Sequence, residues 1–301
     1  MASFEELIKE KSKRLEDIPL ALQDAVVRQQ KEVLNEISSL LNELDIKNGE
    51  IVISKANLKT ISVISDDLKK VFLNEDYLKA VKKFSVEFDK QALINNKVIK
   101  AGLGTLETPI ASTLYIDIAK RSAIDALIGS PIDTEFIKPI QGLLENAVVN
   151  GASLKETISS IRTFAEGNDK VDSKVLRYVK QISNDSFAVA DRSYTSIVSD
   201  ALQNDWFYFA GGEIETTRCF CQERVGNNYH YKEIESWGNG DNLGDCNIGG
   251  GKWAGEIPGT NSSTIYSYLG GYNCMHSLMP ISEILVSDYE KERARNLGYI
   301  D

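Results

Sequence analysis

Two closely spaced pairs, Cys219-x-Cys221 and Cys274-x-His276, together with His230 and Cys246 between them, hold all four cysteines and both histidines of this 301-residue chain. These side chains bind zinc in tetrahedral sets of four, and they serve as nucleophile and base in covalent catalysis. Three kinds of chemistry are open to them. A zinc ion held by Cys221, Cys274, His276 and His230 would contribute folding free energy to a segment poor in apolar residues. Packed thiols and hydrogen-bonded imidazoles would hold loops together without a metal. A cysteine nucleophile with His230 or His276 as base needs an orienting carboxylate or amide, and no nucleophile signature surrounds any of the four cysteines. Because paired zinc ligands are usually two to four residues apart, the single residue inside each pair argues against both members reaching one ion. The packing reading is favoured on that ground, and catalytic residues are not assigned.

The elements that position these residues lie in an unusual stretch. Between Trp206 and Ile281 fall all three tryptophans and thirteen of the twenty-one glycines. Trp206–Phe209 is β-favouring, Gly211-Gly212 is a turn, and Glu213–Thr217 alternates as one half of a hairpin would. Glu233–Trp237 reads as a helical turn, Gly238–Gly259 as irregular, Ser263–Leu269 as a strand and Ile281–Asn296 as a closing helix. Gly249-Gly-Gly251 lacks the Gly-Lys-Ser/Thr of a phosphate loop, so no cofactor-binding residues are assigned and structural zinc is the one cofactor in view. Trp237 and Trp253 read as core, not as base-stacking platforms.

Everything upstream has helical period. Val26, Val33, Ile37, Leu40, Leu41 and Leu44 form a stripe ended by Asp45-Ile-Lys-Asn-Gly49, and Ile51–Ile53 is too short to type by period. Helices follow over Asn57–Phe72, Glu75–Ile99, Ile110–Ile128 and Asp133–Asn150, with Pro109 opening one near Thr108 and Pro139 early in another. Ser153 and Glu156 fit a capping box ahead of a helix to Phe164, and Val175–Leu202 traces a helix of about 30 residues. The expected fold is therefore α-rich, with a helical part at 1–200 followed by a small glycine-rich α+β lobe at 201–301.

Charge separates the same two parts. Residues 1–200 carry net -3 and residues 201–301 net -7, within a total of -10. An acidic lobe excludes dedicated base reading, leaving at most weak backbone contact with DNA from the helical part. No apolar run approaches the ~18 residues of a membrane span, and the N-terminus lacks a basic region followed by an apolar one, so a cytoplasmic start is expected. In a reducing compartment four sparse cysteines point to metal or free thiols instead of a disulfide framework.

One resemblance spans Ser153–Ile281. A capped helix and a long helix lead to Tyr208-Phe-Ala-Gly-Gly212, Thr217-Arg218 and Cys221, and finally to Gly270-Gly-Tyr-Asn-Cys274-Met-His276-Ser-Leu-Met-Pro280. This order resembles the phage head morphogenesis family, the minor head proteins of tailed bacteriophages related to that of phage Mu. Met275 stands where that family usually has arginine, and Cys219 and Cys246 lie outside the pattern. The resemblance implies a non-enzymatic virion protein in the capsid interior or at the portal vertex, assembled in the host cytoplasm. Its partners would be portal and capsid proteins, in head assembly or DNA packaging and delivery. It also implies that Cys221, Cys274 and His276 converge. The alternative from another class is a metal-dependent nuclease or toxin-like effector carried in the particle, for which neither a carboxylate cage nor a basic groove is supplied.

Overall fold

The computed structural model describes residues 3–104, 110–168 and 171–301. Helix α1 (Phe4–Leu41) buries Leu15, Leu22, Val26, Leu34, Ile37 and Leu41 at three-, four-, seven- and eight-residue steps. Strands β1 (Ile46–Lys47) and β2 (Glu50–Ile51) form a hairpin whose Asn48 and Gly49 have φ 55° and 83°, the left-handed pair that a tight primed turn needs. Asn57, buried in the first turn of α2 (Lys55–Phe72), pins this hairpin by accepting from the Asp45 N–H and donating to the Asp45 and Val52 carbonyls. Next come α3 (Glu75–Leu103), α4 (Ile110–Ile128) and the turn α5 (Ser130–Ile132), which passes through a π-helical turn at Asp133–Ile137 into α6 (Lys138–Asn150). Pro139 accounts for the π turn, because it has no N–H for the carbonyl four residues back and its ring crowds that carbonyl.

Helix α7 (Leu154–Glu166) starts where Ser153 Oγ accepts from the Glu156 N–H. The hairpin β3 (Gly167–Asn168) and β4 (Val171–Asp172) leads to α8 (Lys174–Ala201). Beyond it lie β5 (Trp206–Ala210), α9 (Cys219–Gln222), β6 (Asn228–His230), α10 (Tyr231–Gly238), α11 (Ile265–Tyr268), β7 (Ser277–Ile281) and α12 (Asp288–Asn296). The chain is thus α-rich, with a small sheet toward its C-terminus. Three sequence expectations are overturned. Glu213–Thr217 pairs with no strand, since both edges of β5 are taken by β6 and β7. Ser263–Leu269 contains α11, started by Asn261, whose side chain accepts from the Ser263 and Thr264 N–H groups. Ile281 ends a strand, and the last helix begins only at Asp288, behind a capping box of Ser287 and Glu290. The expected start at Thr108-Pro109 lies outside the described residues.

Two compact units divide the chain: Pro19–Ser85 with Arg121–Ser183, and Met1–Ile18 with Val86–Lys120 and Asn184–Asp301. The lobe read at 201–301 thus falls wholly within the second unit, whereas 1–200 is shared between both. In the first unit Phe72 stacks on Phe136 at 5.3 Å, and the Tyr77 and Tyr178 hydroxyls donate to the Leu127 and Ala126 carbonyls at the end of α4.

The second unit is built on an antiparallel sheet in the order β6-β5-β7. Alternation along its strands sends Trp206, Ala210, Met279 and Ile281 to one face, where Leu7, Val98 and Ala294 cover them. Phe207, Phe209, Tyr229 and Leu278 point to the other face, into an aromatic core in which Phe220 stacks on Trp253 at 4.4 Å and Trp237 is fully buried. Against the first face lies a buried ion pair, Lys11 Nζ to Asp191 Oδ2 at 2.9 Å. Asp191 also accepts from Gln91 Nε2 and Ser277 Oγ, so one carboxylate joins α1, α3, α8 and β7.

Removing one partner of such a pair leaves a buried charge uncompensated. Lys11→Met is therefore expected to lower the unfolding free energy by about 3–5 kcal/mol; an unchanged urea midpoint would contradict this. A second expectation concerns Glu290. Burial alone would raise its carboxyl, but donors on Asn228 and Ser287 outweigh burial and hold it below the usual carboxylate range. Its folded value is depressed, so its stabilisation is present above the unfolded value and lost as pH falls through the folded one. The stability gap between wild type and Glu290→Gln should accordingly narrow as pH drops below the ordinary glutamate range, as read in urea melts.

Candidate metal centre

The same one-residue spacing produces opposite outcomes in the two pairs. Cys274 and His276 lie on extended backbone running into β7, where side chains two apart share a side. Both are buried, and Cys274 Sγ lies 3.7 Å from His276 Nδ1. Cys219 and Cys221 instead sit on α9, where residues two apart diverge by roughly 200°. Cys221 consequently turns into the core, with its Sγ 3.8 Å from Cys274 Sγ, while Cys219 forms a disulfide with Cys246. The expectation that close spacing keeps both members of a pair from one centre is corrected for Cys274 and His276 and holds for Cys219 and Cys221. That of free or metal-bound thiols throughout is corrected by the disulfide, which helical geometry permits by facing Cys219 away from Cys221.

Cys221, Cys274 and His276 offer ligand atoms all within 4.8 Å of one another. His230 is not among them. It pairs with Trp206 across β5 and β6, and register places it on the Trp206 face, opposite to the face of Phe209 and Tyr229 behind which the thiols lie. There its ring meets Trp206 edge-on at 5.3 Å, Nδ1 is buried without a hydrogen-bond partner, and burial pushes the imidazole down toward the neutral form.

Glycine and arginine make the convergence sterically possible. A Cβ on Gly270 would overlap Cys221 Sγ and stand 2.9 Å from Cys274 Sγ, so only glycine lets this backbone pass against both sulfurs. Gly211 presses in the same way on the His276 ring. Arg192, buried on α8, donates from Nε to the Ser267 carbonyl at 2.6 Å and from Nη1 to the Cys274 and His276 carbonyls at 2.7 and 3.3 Å. From the other direction Arg218 donates to the Gly270 and Tyr272 carbonyls. Sequence reading singled out Arg218 but missed Arg192 and Asp191. Their signal was present, since between Ser186 and Ser199 these are the only charged residues of a helix that otherwise carries Lys, Arg or Asp on its outer turns.

The electrostatics of the thiol pair are asymmetric. The hydrogen bond with Cys221, the His276 ring and the nearby Arg192 charge hold the Cys274 thiol well below the ordinary thiol range in spite of burial. The same bond, with burial, pushes the Cys221 thiol up. The centre thus brings together two sulfurs and one imidazole nitrogen, a donor set able to hold a soft or borderline cation. Cys219, Cys246 and Glu223 form a second close group, but its sulfurs are bonded to each other.

Comparison of the chain with protein-family models, curated proteins and solved structures finds no match. The site therefore rests on its own geometry.

The tightness around Gly270 is directly testable. Gly270→Ala should destabilise the protein by about 1–3 kcal/mol through overpacking against the two sulfurs. Gly142→Ala, in open space on α6, should instead be neutral or gain up to about 1 kcal/mol. Equal urea midpoints for Gly270→Ala and wild type would show that the sulfurs do not lie against this backbone.

Proposed function

We propose that the chain is a minor head protein of a tailed bacteriophage or prophage, associated with the portal vertex and acting without catalysis in head assembly or DNA packaging and delivery. The observation that carries this reading is the meeting of the two halves of its motif. Tyr208, Arg218 and Cys221 are separated by some fifty residues from Gly270, Cys274, His276 and Pro280. Yet β5 pairs with β7 along Trp206–Ala210, Arg218 binds the Gly270 and Tyr272 carbonyls, and Cys221 lies 3.8 Å from Cys274. A family pattern split between distant segments gains weight when those segments form one structural unit, because each residue then has a physical reason to be there.

The character of the site supports a structural role. Cys221, Cys274 and His276 are all buried, and a cavity of about 710 Å³ is lined by Phe4, Ile8, Tyr208, Gly211 and Ile281 and by none of the three. Among the described residues no helix is long and apolar enough to cross a membrane. Portal and capsid subunits are the partners this reading names, with any DNA contact weak and non-specific because the sheet-bearing region is acidic.

Co-expression with the portal and major capsid proteins of the source phage tests the assignment. The chain should co-sediment with procapsids in few copies per particle and be absent from particles assembled without portal. Equal recovery without portal would contradict portal association. Purified protein incubated with plasmid DNA and Mg²⁺, Mn²⁺ or Zn²⁺ should leave the DNA intact; cleavage lost in His276→Ala would favour the nuclease reading.

A further inference from the structure

We infer that Cys221, Cys274 and His276 bind one zinc ion, through two sulfurs and the imidazole Nδ1. The geometry carries it. Two zinc–sulfur bonds of ~2.3 Å meeting at a tetrahedral angle place their sulfurs roughly 3.8 Å apart, and a ~2.3 Å sulfur bond with a ~2.0–2.1 Å nitrogen bond places those atoms roughly 3.6 Å apart. The observed separations are 3.8 Å for Cys221 Sγ to Cys274 Sγ and 3.7 Å for Cys274 Sγ to His276 Nδ1. Two of the three separations are therefore those a shared ion sets, and the three donors all lie within 4.8 Å of one another.

A thiol pair alone explains less. If Cys221 and Cys274 were simply awaiting oxidation, nothing would require an imidazole nitrogen aimed at the same sulfur. The chain already carries one disulfide, Cys219–Cys246, only two residues from Cys221. Coordination of both sulfurs by one metal would keep two thiols 3.8 Å apart from joining in the same way. Each thiol gives up its proton on binding, so one ion takes up two thiolates and a neutral imidazole and releases the thiol protons to solvent.

The ion would close a loop. Cys221 lies between β5 and β6, Cys274 and His276 precede β7, and the 53-residue separation of the two cysteines contains the irregular segment from Gly238 to Gly259. That segment is anchored by Leu243 and Trp253 in the aromatic core and by the Cys219–Cys246 disulfide. A cross-link across so long a loop removes much of its freedom in the unfolded chain. The site stands on the geometry of these three residues, whether or not the particle assignment is correct.

The test uses the full chain purified from zinc-supplemented cells under mild reduction. Elemental analysis should give about one zinc per chain, coupled to folding. Reconstitution of metal-depleted protein with Co²⁺ should produce thiolate-to-cobalt charge-transfer absorption and the visible bands of a tetrahedral ion. Cys221→Ser/Cys274→Ser should lose the metal and His276→Ala should bind it more weakly, while Cys219→Ser/Cys246→Ser should retain about one per chain. Should the first double variant fail to fold, titration of folded wild type with a mercurial supplies the same answer, with zinc release tracking modification of two thiols. Folded wild type devoid of zinc and unable to take up Co²⁺, zinc retained by Cys221→Ser/Cys274→Ser, or a Cys221–Cys274 disulfide in zinc-replete protein would each overturn the inference.

Discussion

The irregular segment that leads into β7 satisfies only part of its own backbone, and helix α8 takes much of the remainder. Buried carbonyls and N–H groups must find partners, and between Ser267 and Ser277 several find them on α8, while Arg218 takes the Gly270 and Tyr272 carbonyls. Arg192 serves the carbonyls of Ser267, Cys274 and His276, Asp185 takes the Asn273 N–H, Ser193 bonds the Ser267 hydroxyl, and Asp191 takes the Ser277 hydroxyl. These contacts fix the path along which the chain enters β7, and hence where Cys274 and His276 point. Behind Asp191 stands Lys11, so a residue near the N-terminus balances the charge that helps seat the loop. In a low-dielectric interior such groups are stable only when all are satisfied together, which makes the arrangement all-or-none.

How much of this is legible in sequence depends on whether local period or tertiary register decides it. Long helices were readable because burial repeats every three or four residues, as in Ala190, Tyr194 and Val198 of α8. The strand at Trp206 was readable from its residue types. Its partners were not, since both come from far downstream and Glu213–Thr217 offered a nearer, alternating decoy. Asn261 turned Ser263–Leu269 into a helical turn through side-chain acceptors that an alternation rule does not weigh.

The candidate site shows the same division. Cys221, Cys274 and His276 were identified as a group, but one-residue spacing has no fixed meaning until the backbone is known. On extended chain it aligns Cys274 with His276, and on a helix it separates Cys219 from Cys221. His230 was grouped with them on residue type, and a register that pairs it with Trp206 sends it through the sheet to the other face. The disulfide followed from the same helical divergence and could not be read from cysteine count.

If α8 seats the loop, cutting its strongest attachment should free the thiol it holds. Arg192→Met removes three bonds to the Ser267, Cys274 and His276 carbonyls without touching either sulfur. Alkylation of metal-depleted native protein, followed by peptide mass spectrometry, reads Cys274 directly. In wild type Cys274 should be modified far more slowly than in the unfolded chain, and in Arg192→Met at a rate approaching it, with the Trp237 fluorescence environment retained as evidence of a folded core. Cys274 as protected in Arg192→Met as in wild type would contradict the claim that this helix positions the site.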